Sequence, residues 1–432
     1  LVVKAHAADS KKGKLILFVS SIFVFCFFVD TGLPCHGRSR RMSRVIPRLQ
    51  ASALLLSLSR GLVSPLLVLT LSRQLLFSSS GIGLLFSAAM LCATLSGLYA
   101  GHLVDRFDRR RLLGIAVLLI ATSFALVPFS RVWPLALLAL LLLEGAFALY
   151  GIATKAVLSA RLEPAARVRA FSLRYALSNV GFAVGPLLGS LLAGRAPLAP
   201  FWLAAALTLA TLPLLPGLPA VEADKAGAGC RCFADTLLLL RRDRTLVLFT
   251  LGSALGCVVH GRFSDYLSLL LLQGHRDADV LRWMSALIAS NAVTVILLQY
   301  PVGRLQRHGL LLSWIMVGSG LLAGGLAGFA LAESLPAWCA AMVVFTLGEI
   351  IIIPAEYQFI DTIAPDAHKG SYYGAQQLAN LGNAISPLLS GLVLSLLPPV
   401  SLLLMMIALA LLGAGCVWAA ASARADLMDC TD

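Results

Sequence analysis

Leu177-Ser178-Asn179-Val180-Gly181-Phe182-Ala183-Val184-Gly185-Pro186-Leu187-Leu188 and Leu378-Ala379-Asn380-Leu381-Gly382-Asn383-Ala384-Ile385-Ser386-Pro387-Leu388-Leu389 are one passage written twice, 201 residues apart. The match extends outward in the same register. Pro164, Ala166 and Leu191 recur as Pro365, Ala367 and Leu392, and Phe171 stands opposite Tyr372. Apolar helices share Leu and Ala by composition alone, but Asn, Gly and Pro at fixed spacing mark a duplicated half.

What is duplicated is a set of membrane spans. The 432 residues are 59% hydrophobic and 13% charged, with a mean hydropathy of +0.88. Soluble domains hold about 45–50% apolar and about 25% charged residues, so a water-soluble enzyme is excluded. A bilayer span needs about 20 mainly apolar residues. Twelve such segments follow Met42, at 48–72, 81–104, 112–129, 134–158, 171–193, 200–216, 246–272, 281–303, 310–331, 336–361, 371–395 and 399–420. The long connection, 217–245, separates a six-span half at 42–216 from another at 246–420, with a tail at 421–432. Two halves repeated in parallel predict an all-α transporter architecture with its site where the halves meet.

The net charge of +13 does not point to nucleic acid. With Met42 placed in the cytoplasm, eighteen Lys and Arg fall on inner loops and ends, among them Arg106, Arg109, Arg110, Arg111, Arg241, Arg242 and Arg244. Five fall on outer loops: Arg73, Arg131, Arg195, Arg276 and Arg282. That bias sets a multi-pass orientation with both ends cytoplasmic if the chain starts at Met42. Residues 1–41 do not fit the scheme. Their apolar run, Leu15 to Val29, is fifteen residues long and follows Lys11, Lys12 and Lys14. It reads as upstream sequence ahead of a start at Met42, with a signal-peptide core or a thirteenth span as alternatives. The nine cysteines show no metal or disulfide spacing, and Cys230-Arg231-Cys232 reads as incidental. No phosphate loop, metal cluster or nucleophile–base pattern is present, so neither ATP-driven pumping nor catalysis has residue support and no cofactor is expected.

The loop after the second span reads Gly101-His102-Leu103-Val104-Asp105-Arg106-Phe107-Asp108-Arg109-Arg110-Arg111. Gly lets helix ends approach, and Asp105 can pair with an Arg or with a helix N-terminus, which makes a charge latch that holds one access state. The loop resembles the signature of the major facilitator superfamily, Gly-x-Leu-x-Asp-Arg-x-Gly-Arg-Arg, with Asp108 in place of its second Gly. A degenerate copy, Gly303-Arg304-Leu305-Gln306-Arg307, follows span eight. Gly181, Gly185, Pro186 and Gly189 resemble the Gly-x-x-x-Gly-Pro-x-x-Gly-Gly stretch of the antiporter branches, with Ser190 replacing the last Gly. Small residues every fourth position and a proline kink predict a tight seam between helices. The resemblance covers the chain after Met42 and is nearest the twelve-span drug:proton antiporters. It departs from them in span four, where Leu141 and Glu144 fall at the positions of the branch's Arg and Gln.

Charges inside spans are costly and mark function by default. Arg60, Glu144, Lys155, Arg262, Asp265, Glu349, Glu356 and Asp361 all fall on spans one, four, seven and ten. The resemblance implies that those four helices line the central cavity. Arg60, Glu144 and Glu349 lie near mid-span, whereas Lys155 and Asp361 sit close to cytoplasmic ends, where a snorkelling side chain or a helix stop is expected. Glu349 and Glu356, seven apart, share a helix face. Glu349 or Glu144 is expected to carry a proton, with Arg60 as counter-charge. The alternative is a static Arg60–carboxylate pair, and Arg262 with Asp265 can equally neutralise each other locally. The resemblance implies proton-coupled efflux of small amphipathic molecules by a monomer, and the high Arg-to-Lys ratio with compact loops points to a bacterial inner membrane. A proton-coupled importer and a non-transporting sensor or scaffold remain open on the residues alone.

Overall fold

The computed structural model describes residues 45–75, 79–215, 233–274, 277–306 and 310–429. Residues 1–44, the Cys230–Cys232 pair and most of the linker at 217–232 lie outside that set. The described chain is almost entirely helical. In order, the first half contains α1 (Val45–Leu75), α2 (Ser79–Arg106), α3 (Arg109–Leu126), α4 (Trp133–Arg161), α5 (Pro164–Ala193) and α6 (Ala199–Leu209). The linker contributes α7 (Phe233–Arg242). The second half contains α8 (Arg244–His260), α9 (Phe263–Leu272), α10 (Asp277–Leu305), α11 (Leu311–Leu331), α12 (Leu335–Ile363), α13 (Lys369–Gln376), α14 (Leu381–Leu396) and α15 (Pro399–Asp429).

Among the described residues nine helices are long and apolar enough to cross a bilayer, and α8 with α9 makes a tenth, bent by 43°. The other two expected spans fall on α1, 31 residues long, and on α6. At a 1.5 Å rise, the eleven residues of α6 cover only about half of a bilayer core. Pro213 turns the chain into a short 3-10 segment, Leu212–Leu214, which extends the rod further.

Two expected single helices are not continuous α-helix: one is bent and the other passes through a 3-10 turn. Span seven bends at Gly261–Arg262, between α8 and α9. Span eleven runs as α13, then a 3-10 turn over Gln377–Asn380, then α14. Its copy in the first half, α5, passes through Leu177–Val180 as continuous α-helix.

One apolar cluster fills the first half and runs on into the second through Phe249, Phe359 and Tyr373, and another lies within the second half. Val117, Ile120, Phe124 and Phe201 are fully buried in the first, as are Tyr266, Leu326, Met342 and Phe345 in the second. Facing outward, Leu191, Leu297, Leu388 and Trp418 are more than half exposed, a surface suited to lipid rather than water. The halves meet where α2 lies along α13 and where α5 lies along α10.

Candidate functional site

The cavity between the halves has two lobes that share Gln377 and Asn380. The first, about 270 Å³, is lined by Arg60 of α1, Thr94 of α2, and Glu144 and Phe147 of α4. Arg60 Nη2 donates to both carboxylate oxygens of Glu144, at 2.7 and 2.8 Å. Its guanidinium also sits 4.8 Å from the centre of the Phe147 ring. The aromatic face partly replaces the water that the cation gives up. Arg60 and Glu144 are only partly buried, 34% and 25% exposed, so the pair is reachable from the lobe.

The second lobe, about 330 Å³, carries Glu349 and Glu356 of α12 on one wall, as their sevenfold spacing predicts. Glu349 accepts from Tyr175 Oη at 2.5 Å and from Asn291 Nδ2 at 3.0 Å. Tyr175 belongs to α5 of the first half, so this bond crosses between the halves inside the cavity. Lys155 also lines this lobe. It does not snorkel to the membrane surface: it is buried, with Nζ 3.8 Å from the Tyr357 ring centre and 5.6 Å from that of Tyr373. Arg262 and Asp265 line neither lobe. They pair with each other at 3.2 Å, both substantially exposed, which is the local neutralisation the spacing allowed.

At the Arg-rich end the halves are tied together. Asp105, at the end of α2, accepts from Gly370 N at 2.6 Å, Ser371 N at 2.7 Å and Ser371 Oγ at 2.6 Å. Of its two expected partners it thus takes the helix N-terminus, satisfying donors that the first turn of α13 cannot satisfy itself. Arg109 is buried and donates to Ala156 O at 3.1 Å, whereas Arg106 and Arg110 are exposed. Gly101 is where the backbones meet: a Cβ there would strike the Gly370 carbonyl. The second signature copy repeats the contact, with Gly303 of α10 against Ser172 of α5.

A second tie is centred on Asp361, whose side chain is fully buried. Ser159 and Arg167 of the first half bond to it, as do Lys369 (3.2 Å) and Tyr373 Oη (3.1 Å) of the second. Asp361 is therefore a hub between halves and not simply a helix stop. Tyr372 Oη donates to Asp243 at 2.5 Å, and Asp243 also caps α8 by accepting from Leu246 N.

The glycine motif of α5 lies against α1, within the first half. A Cβ on Gly181 would sit 2.6 Å from Leu58 N, one on Gly185 2.6 Å from Gly61 Cα, and one on Gly189 would strike the Leu62 carbonyl. Pro186, within the helix, stands beside Gly185. These are backbone neighbours that cannot rotate aside. Overpacking costs about 1–3 kcal/mol, so Gly189→Val is expected to lower the midpoint of thermal unfolding in detergent by several degrees. Gly391→Val, whose Cβ would meet nothing, should leave it unchanged and serves as the control. Equal melting of the two variants would show that the seam is not close-packed.

The structure thus brings Arg60 to Glu144, and Glu349 and Glu356 into one lobe that adjoins theirs. Tyr175, Lys155 and Asp361 are the cavity and tie side chains that the sequence pattern passed over or placed differently. For Tyr175 a signal exists: a tyrosine within the proline-containing span that carries the small-residue motif.

A duplicated helical bundle enclosing a polar cavity, with charged ties at one end, defines a multi-pass membrane transporter. The family model of the Major Facilitator Superfamily matches residues 51–387, and the chain belongs to that superfamily. It is 33% identical over 363 residues to the uncharacterized MFS-type transporter YdeE of Escherichia coli, covering 84% of this chain and 91% of that one. It is 28% identical over 349 residues to the multidrug resistance protein MdtH of Aeromonas hydrophila, covering 79% and 84%. Among solved structures, FucP in the outward conformation superposes with a TM-score of 0.71 at 13% identity, over 88% of this chain and 99% of that one.

Proposed function

We propose that this transporter expels small amphipathic molecules in exchange for protons, by alternating access. The observation that carries the reading is the Tyr175–Glu349 bond: a carboxylate inside the cavity is held by a hydroxyl from the opposite half. When the halves move, Glu349 loses that donor and its solvation changes, so its proton affinity changes with access state. Proton and substrate then compete for one lobe, which is what antiport requires. Glu144, the other candidate carrier, already has Arg60 as counter-charge in the place where the branch's span-four Arg is missing. The relatives named for multidrug resistance favour efflux and amphipathic substrates.

In this reading the Arg-rich end lies in the cytoplasm of a bacterial cell, as do both termini if the chain starts at Met42, the protein works as a monomer in the inner membrane, and the Asp105 and Asp361 ties close the cytoplasmic side. The test uses everted vesicles with an interior-acid gradient and a pH-sensitive dye. Lipophilic cations, anions and neutral drugs are added in turn. Dye recovery is expected with one class, reduced at least tenfold in Glu349→Gln and several-fold in Tyr175→Phe. Vesicles that contain inserted protein yet give no recovery with any compound would overturn the proposal, and uptake of metabolites would be assayed next.

A further inference from the structure

A third cavity, about 660 Å³, lies outside the transport pathway on the flank of the bundle. Its walls come from Leu98 of α2, Leu240 and Arg241 of α7, Val247 and Leu251 of α8, and Ile385 of α14. Val247, Leu251 and Ile385 are nearly half exposed, so the groove is open on the side where the bundle faces its surroundings. The lining is apolar except at two points. One is Thr250, whose hydroxyl has no hydrogen-bond partner among the described residues. The other is Arg241, the one charged residue in the wall, on the last turn of α7 next to the exposed Arg242.

α7 positions that cation. Its Thr236 and Leu240 are buried, and Thr236 Oγ1 is 2.8 Å from His102 Nδ1 of α2. Phe233 packs edge-on against Tyr99, ring centres 5.4 Å apart. The linker helix is thereby laid across the Arg-rich end of α2, with Arg241 held at the edge of the groove.

We infer that this groove binds an anionic phospholipid from the leaflet at the Arg-rich end, an acyl chain along the apolar wall and the phosphate on Arg241. An apolar slot in a bilayer fills with acyl chains at little cost, but a slot with a guanidinium at its rim discriminates between headgroups. Arg matches phosphate geometry with paired donors, and a cation at an anionic leaflet favours a headgroup of net negative charge over one whose phosphate is offset by a choline ammonium. The polar lobes of the transport cavity hold the groups suited to a polar solute, and this groove holds none of them. The inference rests on membrane residence and not on drug export, so the dye assay and the following test fail independently.

The full-length protein, delipidated in detergent, is titrated with equal amounts of phosphatidylglycerol and phosphatidylcholine, and retained lipids are counted by native mass spectrometry. The wild type is expected to hold one phosphatidylglycerol with about fivefold preference. Arg241→Gln should abolish the preference, Arg241→Lys should keep most of it, and Thr250→Trp, which fills the groove without breaking a hydrogen bond, should remove both lipids. Size-exclusion profiles matching the wild type establish that the variants fold. Equal retention of the two lipids by the wild type would make the groove a general apolar slot and overturn the headgroup assignment. Undiminished lipid in Thr250→Trp would place the lipid elsewhere and overturn the site.

Discussion

Asp361→Asn is expected to open the Arg-rich end. The carboxylate is fully buried and is shared by Arg167 and Lys369, one from each half. Removing one side of a buried ion pair costs about 3–5 kcal/mol, because the remaining charge keeps its desolvation without its partner. Here two cations lose it together. The cost falls on the state in which the halves touch, since in the other state water can reach each cation. A difference of 3 kcal/mol moves a two-state equilibrium by more than a hundredfold. Spin labels at Phe107 and Asp366, exposed positions on opposite halves, should therefore report a long-distance population in the variant that the wild type lacks. An unchanged distance distribution would mean that Asp361 does not hold the halves together.

Gly374→Leu should have the next largest effect, for a steric reason. A Cβ on Gly374 would lie 2.6 Å from Gly97 O and 3.0 Å from Gly101 Cα, both backbone atoms of α2. Neither can move without displacing the whole helix, so α2 and α13 must separate. Transport should fall at least tenfold while insertion is retained, and a membrane-impermeant thiol reagent should label a cysteine placed at Phe107 or Asp366 faster. Gly320→Leu on α11, whose Cβ would meet nothing, is the matched control. Normal transport by Gly374→Leu would show that close contact of these two helices is not part of the cycle.

Much of this was legible in the residues. The repeat at a spacing of 201 pointed to two halves, and each apolar segment falls on a helix or on consecutive helices, although α5 begins seven residues before its segment and α15 ends nine after its own. Asp105 met a helix N-terminus, one of the two partners its chemistry allowed. What could not be read were side-chain directions and pairings between distant helices. Lys155 was placed by its distance from the end of span four, which puts its Cα near the membrane surface. Side chains on a helix lean toward its N-terminus, and α4 runs toward the Arg-rich end, so Lys155 leans back into the bundle and onto Tyr357. Asp361 looked like a helix stop because its four partners come from three other elements, and nothing in local sequence joins them. The breaks in spans seven and eleven were hidden by composition averaged over about 20 residues. Gly261-Arg262 and Gln376-Gln377 are short polar interruptions in otherwise apolar runs.

Those interruptions make the two halves structurally unequal. In the first half α1 and α5 are continuous rods, 31 and 30 residues long, locked to each other through glycines at backbone distance. Their counterparts in the second half are interrupted, by a 43° bend at Gly261–Arg262 and by a 3-10 turn over Gln377–Asn380, and both places border the central cavity. The central cavity is thus lined on its first-half side by uninterrupted α-helix and on its second-half side by a bend and a 3-10 turn.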